Sequence, residues 1–227
     1  MASENKDVVR KFTKRLTAAI EYHRELLLAV HLKTHQASLE TMLAEQFTFN
    51  SAVLWEGFLS DILLAYVVMN PKTYLTSLEA RVSQSLKEKF GSEVVRYHGI
   101  AFPPKINRTQ AKALIDPKQF NITVRSAAGL AQKANDLLVA KYAKSFALAA
   151  EDARLVDFSI AIRNYLGHRS SASRDSLKAA VQPLVGVNAD LQGNIRDVGS
   201  YLKHKNAQGD TRAIVLARRI ITIAGKL

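Results

Sequence analysis

Arg163, Asn164 and His168 fall within one six-residue run, Arg163-Asn-Tyr-Leu-Gly-His168, after a helical pattern and before the serine-rich break at Ser170. These side chains suit phosphate chemistry near neutral pH. A guanidinium offers a planar fork of donors that matches phosphate oxygens. An imidazole, with an ordinary pKa of about 6.5, can take or give a proton at working pH. An amide can orient the ring or donate to an oxygen. Breaking a ribose–phosphate backbone without a metal needs a base for the 2′-hydroxyl, an acid for the departing 5′-oxygen, and donors for the charge on phosphorus. One such set is thin. Two sets facing across a two-fold axis would make a fuller one, and isologous dimers are the commonest oligomers.

The element that must position these groups is a helix over Ala150 to Leu166, on which Leu155, Phe158, Ile162 and Leu166 step by three and four. Arg163 follows Val156 and Ile160 on one stripe, and His168 follows Asp157, Ala161 and Asn164 on an adjacent one. Both side chains are therefore expected to reach one cleft. Gly167 is expected to end the helix in the left-handed conformation of a terminus. A plainer alternative stays open, with Arg163 a surface ion-pair former and His168 a helix C-terminal cap.

The rest of the chain reads as helical scaffold. Its 227 residues, 48% hydrophobic, suffice for one sizeable core with helical extensions. Cysteine is absent, which excludes disulfides and thiolate metal sites and fits a reducing cytoplasm. No signal peptide is apparent, and the longest uncharged apolar run, Ile62 to Met69, is too short to span a bilayer. A soluble protein without membrane attachment is expected.

Helical spacing covers Lys6 to Lys33, with Val9, Phe12, Leu16 and Ile20 on one stripe, and then Ser38 to Met69, apolar almost all round. A helix of the second kind must be buried by several neighbours or by another subunit. Asn70-Pro71 closes it, with Asn70 read as an N-cap for the next helix, and Thr76-Ser-Leu-Glu79 has the form of a capping box. Gly91 ends that helix, and the prolines in Tyr97 to Lys105 mark an extended connection. Further helices are expected over Thr109 to Ile115, Ser126 to Tyr142, Arg174 to Gln182 and Thr211 to Ala224, with a brief extended piece at Phe120 to Val124 and a short helix near Ile195. The expected fold is all-α. His31 and His35 stand four apart, but no third ligand accompanies them, so no metal site and no cofactor are expected.

Arg163-Asn164-Tyr165-Leu166-Gly167-His168 resembles the Arg-Asn-x-x-x-His form of the signature of HEPN domains, all-α proteins that include many bacterial toxin and antiphage ribonucleases. Ala52-Val-Leu-Trp-Glu56-Gly-Phe58-Leu is similar to their earlier core helix, and the late position of the signature also fits. The resemblance spans about Ser38 to Gln182 of a single domain over residues 1–227, leaving helical extensions at both ends. It implies a homodimer whose two signatures form one cleft. It also implies metal-independent endoribonuclease activity leaving a 2′,3′-cyclic phosphate, in a toxin or defence effector that a cognate antitoxin could restrain. By the same resemblance Arg163 and His168 are catalytic, Asn164 is their polar companion, and Glu56 is a possible accessory. Some toxins of this superfamily carry a tyrosine two residues past the histidine that their antitoxins modify. Here that position is Ser170, which puts such control in doubt.

Charge adds a second possibility. The net charge of +12 favours a polyanionic or acidic partner, and it is unevenly spread. Ala37 to Asn70 holds Glu40, Glu45, Glu56 and Asp61 with no Lys or Arg, whereas Arg196 to Leu227 holds seven basic residues and two acids. Arg212, Arg219 and Lys226 recur every seven residues with Arg218 beside them. Together with Arg169, these arginines are candidates for tracking an RNA backbone. The rival to catalysis is thus a non-catalytic RNA-binding or protein-interaction module; for the stripe itself, the plainer reading is a solvated helix face.

Overall fold

A computed structural model describes residues 4–97, 102–117, 122–184, 189–193 and 195–227. Among these residues there are eleven α-helices and one isolated antiparallel bridge, Lys205 with Thr211, so the architecture is all-α. The first two are α1 (Glu4–Val30) and α2 (Gln36–Met69). Next come α3 (Lys72–Phe90), α4 (Ser92–Tyr97), α5 (Arg108–Ile115), α6 (Ala127–Leu137) and the single turn α7 (Ala140–Ala143). The chain then enters α8 (Ala150–His168), α9 (Ser171–Val181), α10 (Val198–Lys203) and α11 (Arg212–Ala224).

The core is organised around α2. Its 34 residues make a rod about 50 Å long. It carries buried side chains on every face from Ala44 to Val67 because α1, α5, α6, α8, α10 and α11 all lie against it. α1 covers one side with Phe12, Leu16, Ile20 and His23, spaced by three and four. Phe12 stacks on Phe58 with ring centres 4.5 Å apart, and Trp55 packs on Phe58 at 5.3 Å. One continuous cluster of buried side chains runs from Phe12 to Leu227, so α1 and α11 share the core of the central helices. The Tyr66 hydroxyl accepts from Asn5 Nδ2 at 3.0 Å and donates to the Leu227 carbonyl at 2.6 Å. Among the described helices, α2 alone is long and apolar enough to cross a membrane, and over half of its most apolar window is buried in this bundle. The apolar stretch is thus longer than the uncharged run Ile62 to Met69 indicates, because Glu56 and Asp61 interrupt it with only two charges.

Several boundaries differ from the sequence expectation for identifiable reasons. Asn70 ends α2 and its side chain accepts from Lys72 N–H at 3.3 Å, while Pro71 occupies the N-cap position of α3, which starts before the Thr76–Glu79 box. A full turn ahead of the box is kept because Tyr74 and Leu75 are buried there, so packing overrides the capping signal. The expected long helix from Ser126 breaks at Leu138, an extended and buried residue. The short helix expected near Ile195 begins instead at Val198, where the Asp197 side chain caps by accepting from Ser200 N–H at 2.7 Å. Ile122 to Val124 form neither helix nor strand, and Phe120 lies outside the described residues, as do 98–101 of the proline-bearing connection.

Candidate active site at the end of the eighth helix

The residues singled out for chemistry lie in the last two turns of α8, where the helix turns from core to surface. Leu155, Val156, Phe158, Ile160 and Ile162 are buried, Arg163 to Leu166 are half-buried, and Gly167 to Ser170 are exposed. Asp157, earlier on the same helix, accepts from the Ala127 N–H at 2.7 Å and pins α8 to the start of α6.

Arg163 faces α2. Its side chain is 31% exposed, and its Nε lies 3.2 Å from Glu56 Oε1, itself in a side chain 29% exposed. Nη1 donates to Asn164 Oδ1 at 3.2 Å. The Arg163–Glu56 contact is an ion pair without a proper hydrogen bond, because Nε is buried and its N–H finds no aligned acceptor. A buried donor left unmet disfavours the state that leaves it so. Nη2 also has no acceptor among the described residues. Glu56 and Asn164 therefore hold the guanidinium in place while Nη2 is left over. This brings three of the candidate residues, Arg163, Asn164 and Glu56, into direct contact.

His168 stands apart. It is the last residue of α8, exposed, with no hydrogen bond or ion pair among the described residues. The expectation that Arg163 and His168 share one cleft within one copy is corrected by helical geometry. Five residues at about 100° each put them roughly 140° apart round the axis, and Arg163 is turned inward to α2 where His168 faces solvent. Gly167 is also corrected. It does not adopt the left-handed conformation; Arg169 does, at φ 51 and ψ 22, as the C-cap of α8. What Gly167 supplies is closeness, since a Cβ added there would lie 3.4 Å from the Phe49 ring on α2.

Arg169 is engaged in a way the sequence does not announce. Both terminal nitrogens of its guanidinium donate to Glu45 on α2, at 3.2 and 2.5 Å, and its centre lies 5.5 Å from the Tyr165 ring. The hydrogen bonds to Glu45 raise the Arg169 pKa further above its ordinary value. Ser170 then caps α9, its hydroxyl oxygen accepting from Ser173 N–H at 3.2 Å. Sequence spacing cannot find Glu45, which is 124 residues away. The signal that was present is the lack of any basic residue from Ala37 to Asn70, which obliges the acids of α2 to find partners on other elements. Glu45 takes Arg169, Glu56 takes Arg163, and Asp61 takes Arg108.

The basic residues of α11 are differently placed. The Arg212 guanidinium is spent on the carbonyls of Asp190, Gln192 and Tyr201, and it stacks 4.5 Å from the Tyr201 ring centre. Arg218 pairs with Asp210, Arg219 with Glu151, and Lys226 with Asp152. Asp210 also accepts from Arg24 at 2.7 Å, joining α11 to α1. His31 and His35 are both exposed in the turn between α1 and α2, and no group of three potential metal ligands occurs among the described residues. Comparison with protein-family models, with characterised proteins and with solved structures finds no match to this chain.

Proposed function

We propose that this protein is a HEPN-type, metal-independent endoribonuclease of the toxin or defence kind, cutting RNA by attack of the 2′-hydroxyl on the adjacent phosphate. Arg163 binds the scissile phosphate and stabilises the charge that builds on it. His168 carries the proton transfers, Asn164 is the polar companion, and Glu56 holds the guanidinium. The single observation that carries this reading is the contrast within six residues. Arg163 is pre-oriented by a carboxylate at Nε and an amide at Nη1, with Nη2 left over, while His168 is free to reach a substrate. Because the two point roughly 140° apart on one helix, the working cleft is assigned to a homodimer, with the Arg163 of one copy beside the His168 of the other.

The purified protein should cleave single-stranded RNA in the presence of EDTA. His168→Ala should lower the rate by roughly 10²- to 10⁴-fold, the ordinary worth of a positioned acid or base, while melting at the wild-type temperature. Undiminished cleavage by that variant would sink the assignment. The inward turn of Arg163 favours the rival reading, a non-catalytic interaction module, in one respect, because a structural ion pair has the same appearance. That reading expects salt-sensitive RNA or protein binding with no cleavage products in any preparation.

A further inference from the structure

Arg169 is held more firmly than a surface residue at a helix end requires. It is one of three non-glycine residues with positive φ among those described, in a conformation that disfavours a side chain and at a helix position where glycine is the usual occupant. Its N–H donates to the Tyr165 carbonyl at 2.7 Å, and its guanidinium grips Glu45 with two nitrogens. Glu45 is itself hemmed in, its side chain 17% exposed. Gly199 of α10 packs so near that a Cβ added there would lie 3.0 Å from Glu45 Oε1 and 2.3 Å from Thr41 Cγ2. Asp197, at the start of α10, is held below the usual carboxylate range by its bonds to Ser200 and, further off, by the charges of Arg169 and Lys203. The corner after His168 is thus the junction of α2, α8 and α10.

His168 has no partner among the described residues, so the direction in which its ring leaves the helix is set by the backbone. Glycine at 169 would take the same conformation without strain but would remove the ion pair that ties the corner to Glu45 of α2. Arginine accepts the strain and ties that turn to α2. We infer that Arg169 is a positioning residue, locked by Glu45 into the left-handed corner so that the Cα–Cβ bond of His168 leaves the helix end in one fixed direction. Its fork is occupied by Glu45, so it acts on the rate of proton transfer and not on RNA affinity. The inference rests on the ribonuclease reading of Arg163 and His168 for its kinetic consequence, but its structural half is independently measurable.

The test uses the full chain with Arg169→Gly, which keeps the corner and removes the tie, and Glu45→Gln, which keeps the shape and removes the charge. Steady-state cleavage of a single-stranded RNA oligonucleotide is followed beside the His168 ring signal in a ¹H–¹³C spectrum with its relaxation. Expected are a loss of kcat between roughly tenfold and a hundredfold, the scale of a misplaced catalytic group, and an unchanged KM. The His168 signal should gain mobility, and Arg169→Lys should recover part of the loss. Unchanged kcat together with an unchanged His168 signal overturns the proposal. A raised KM at constant kcat also overturns it, by making Arg169 a phosphate contact. If wild type cleaves no RNA, the ribonuclease reading fails on its own, and the ring signal decides the inference: increased mobility sustains it, unchanged mobility ends it. Should Arg169→Gly not fold, Glu45→Gln carries the same comparison.

Discussion

The end of α8 and the length of α11 are both rich in cations, and both have those cations paired, yet they differ in what is left over. On α11 and just past its end every basic side chain has a protein partner. Arg212 is capped by three carbonyls, and Arg218, Arg219 and Lys226 each meet a carboxylate. At the end of α8, Arg163 and Arg169 are likewise paired, but the His168 side chain is paired with nothing among the described residues. Net charge along a sequence is therefore a poor guide to charge offered to a partner. The useful quantity is how many polar side chains the fold itself leaves without a partner.

This contrast can be broken experimentally. The largest effect belongs to Arg212→Ala, which strands three carbonyls and removes a stacked cation. A loss of about 2–4 kcal/mol in unfolding free energy is expected by denaturant titration. A near-wild-type midpoint would show that the α11 cations are not structural. An effect of similar size, but confined to acid, belongs to His23. It is 2% exposed, stacked on Phe47 at 4.4 Å, with no partner for Nε2, and burial pushes its pKa from 6.5 down to about 4. Above pH 6.5 it is neutral in both folded and unfolded chains, and its contribution is complete. Between pH 6.5 and 4 the unfolded chain takes up a proton that the native state refuses, so stability falls as pH drops, by on the order of 3 kcal/mol in all. His23→Phe should flatten that slope. Equal slopes in wild type and His23→Phe would remove His23 from the account. Smallest are Arg218→Ser and Arg219→Ser. Each breaks a partly exposed ion pair and should cost below about 1 kcal/mol, with no change in the salt dependence of any RNA binding. A shallower salt slope in these variants would return α11 to the candidate RNA surface.

Much of the scaffold was legible because helical burial has a short period. Phe12, Leu16 and Ile20 mark one face of α1, and the all-round apolarity of α2 correctly demands several neighbours. Three of the residues singled out from the sequence, Arg163, Asn164 and Glu56, do come together. What could not be read was any pairing across long separations. The left-handed corner fell to Arg169 and not to Gly167 because a glutamate 124 residues away compensates the strain. Conversely, Arg212, Arg219 and Lys226 look like one stripe at heptad spacing, yet they meet three unrelated sets of partners. Periodicity says which way a residue faces, and tertiary structure says who is waiting there.

The Tyr66 hydroxyl, gripping Asn5 on one side and the Leu227 carbonyl on the other, has a consequence in time. The bond to Leu227 spans 161 residues, and that to Asn5 spans 61. A helical hairpin of α1 on α2 can form from neighbouring segments, but the clasp at Tyr66 must wait for a remote piece of chain to find it. Bundles built from local contacts fold in microseconds to milliseconds, and distant pairings slow that search. The core of this bundle thus has a local half that can assemble quickly and a seam at Tyr66 that closes late. An observer refolding the chain should see the tyrosine reach its native environment after most of the helix has already formed.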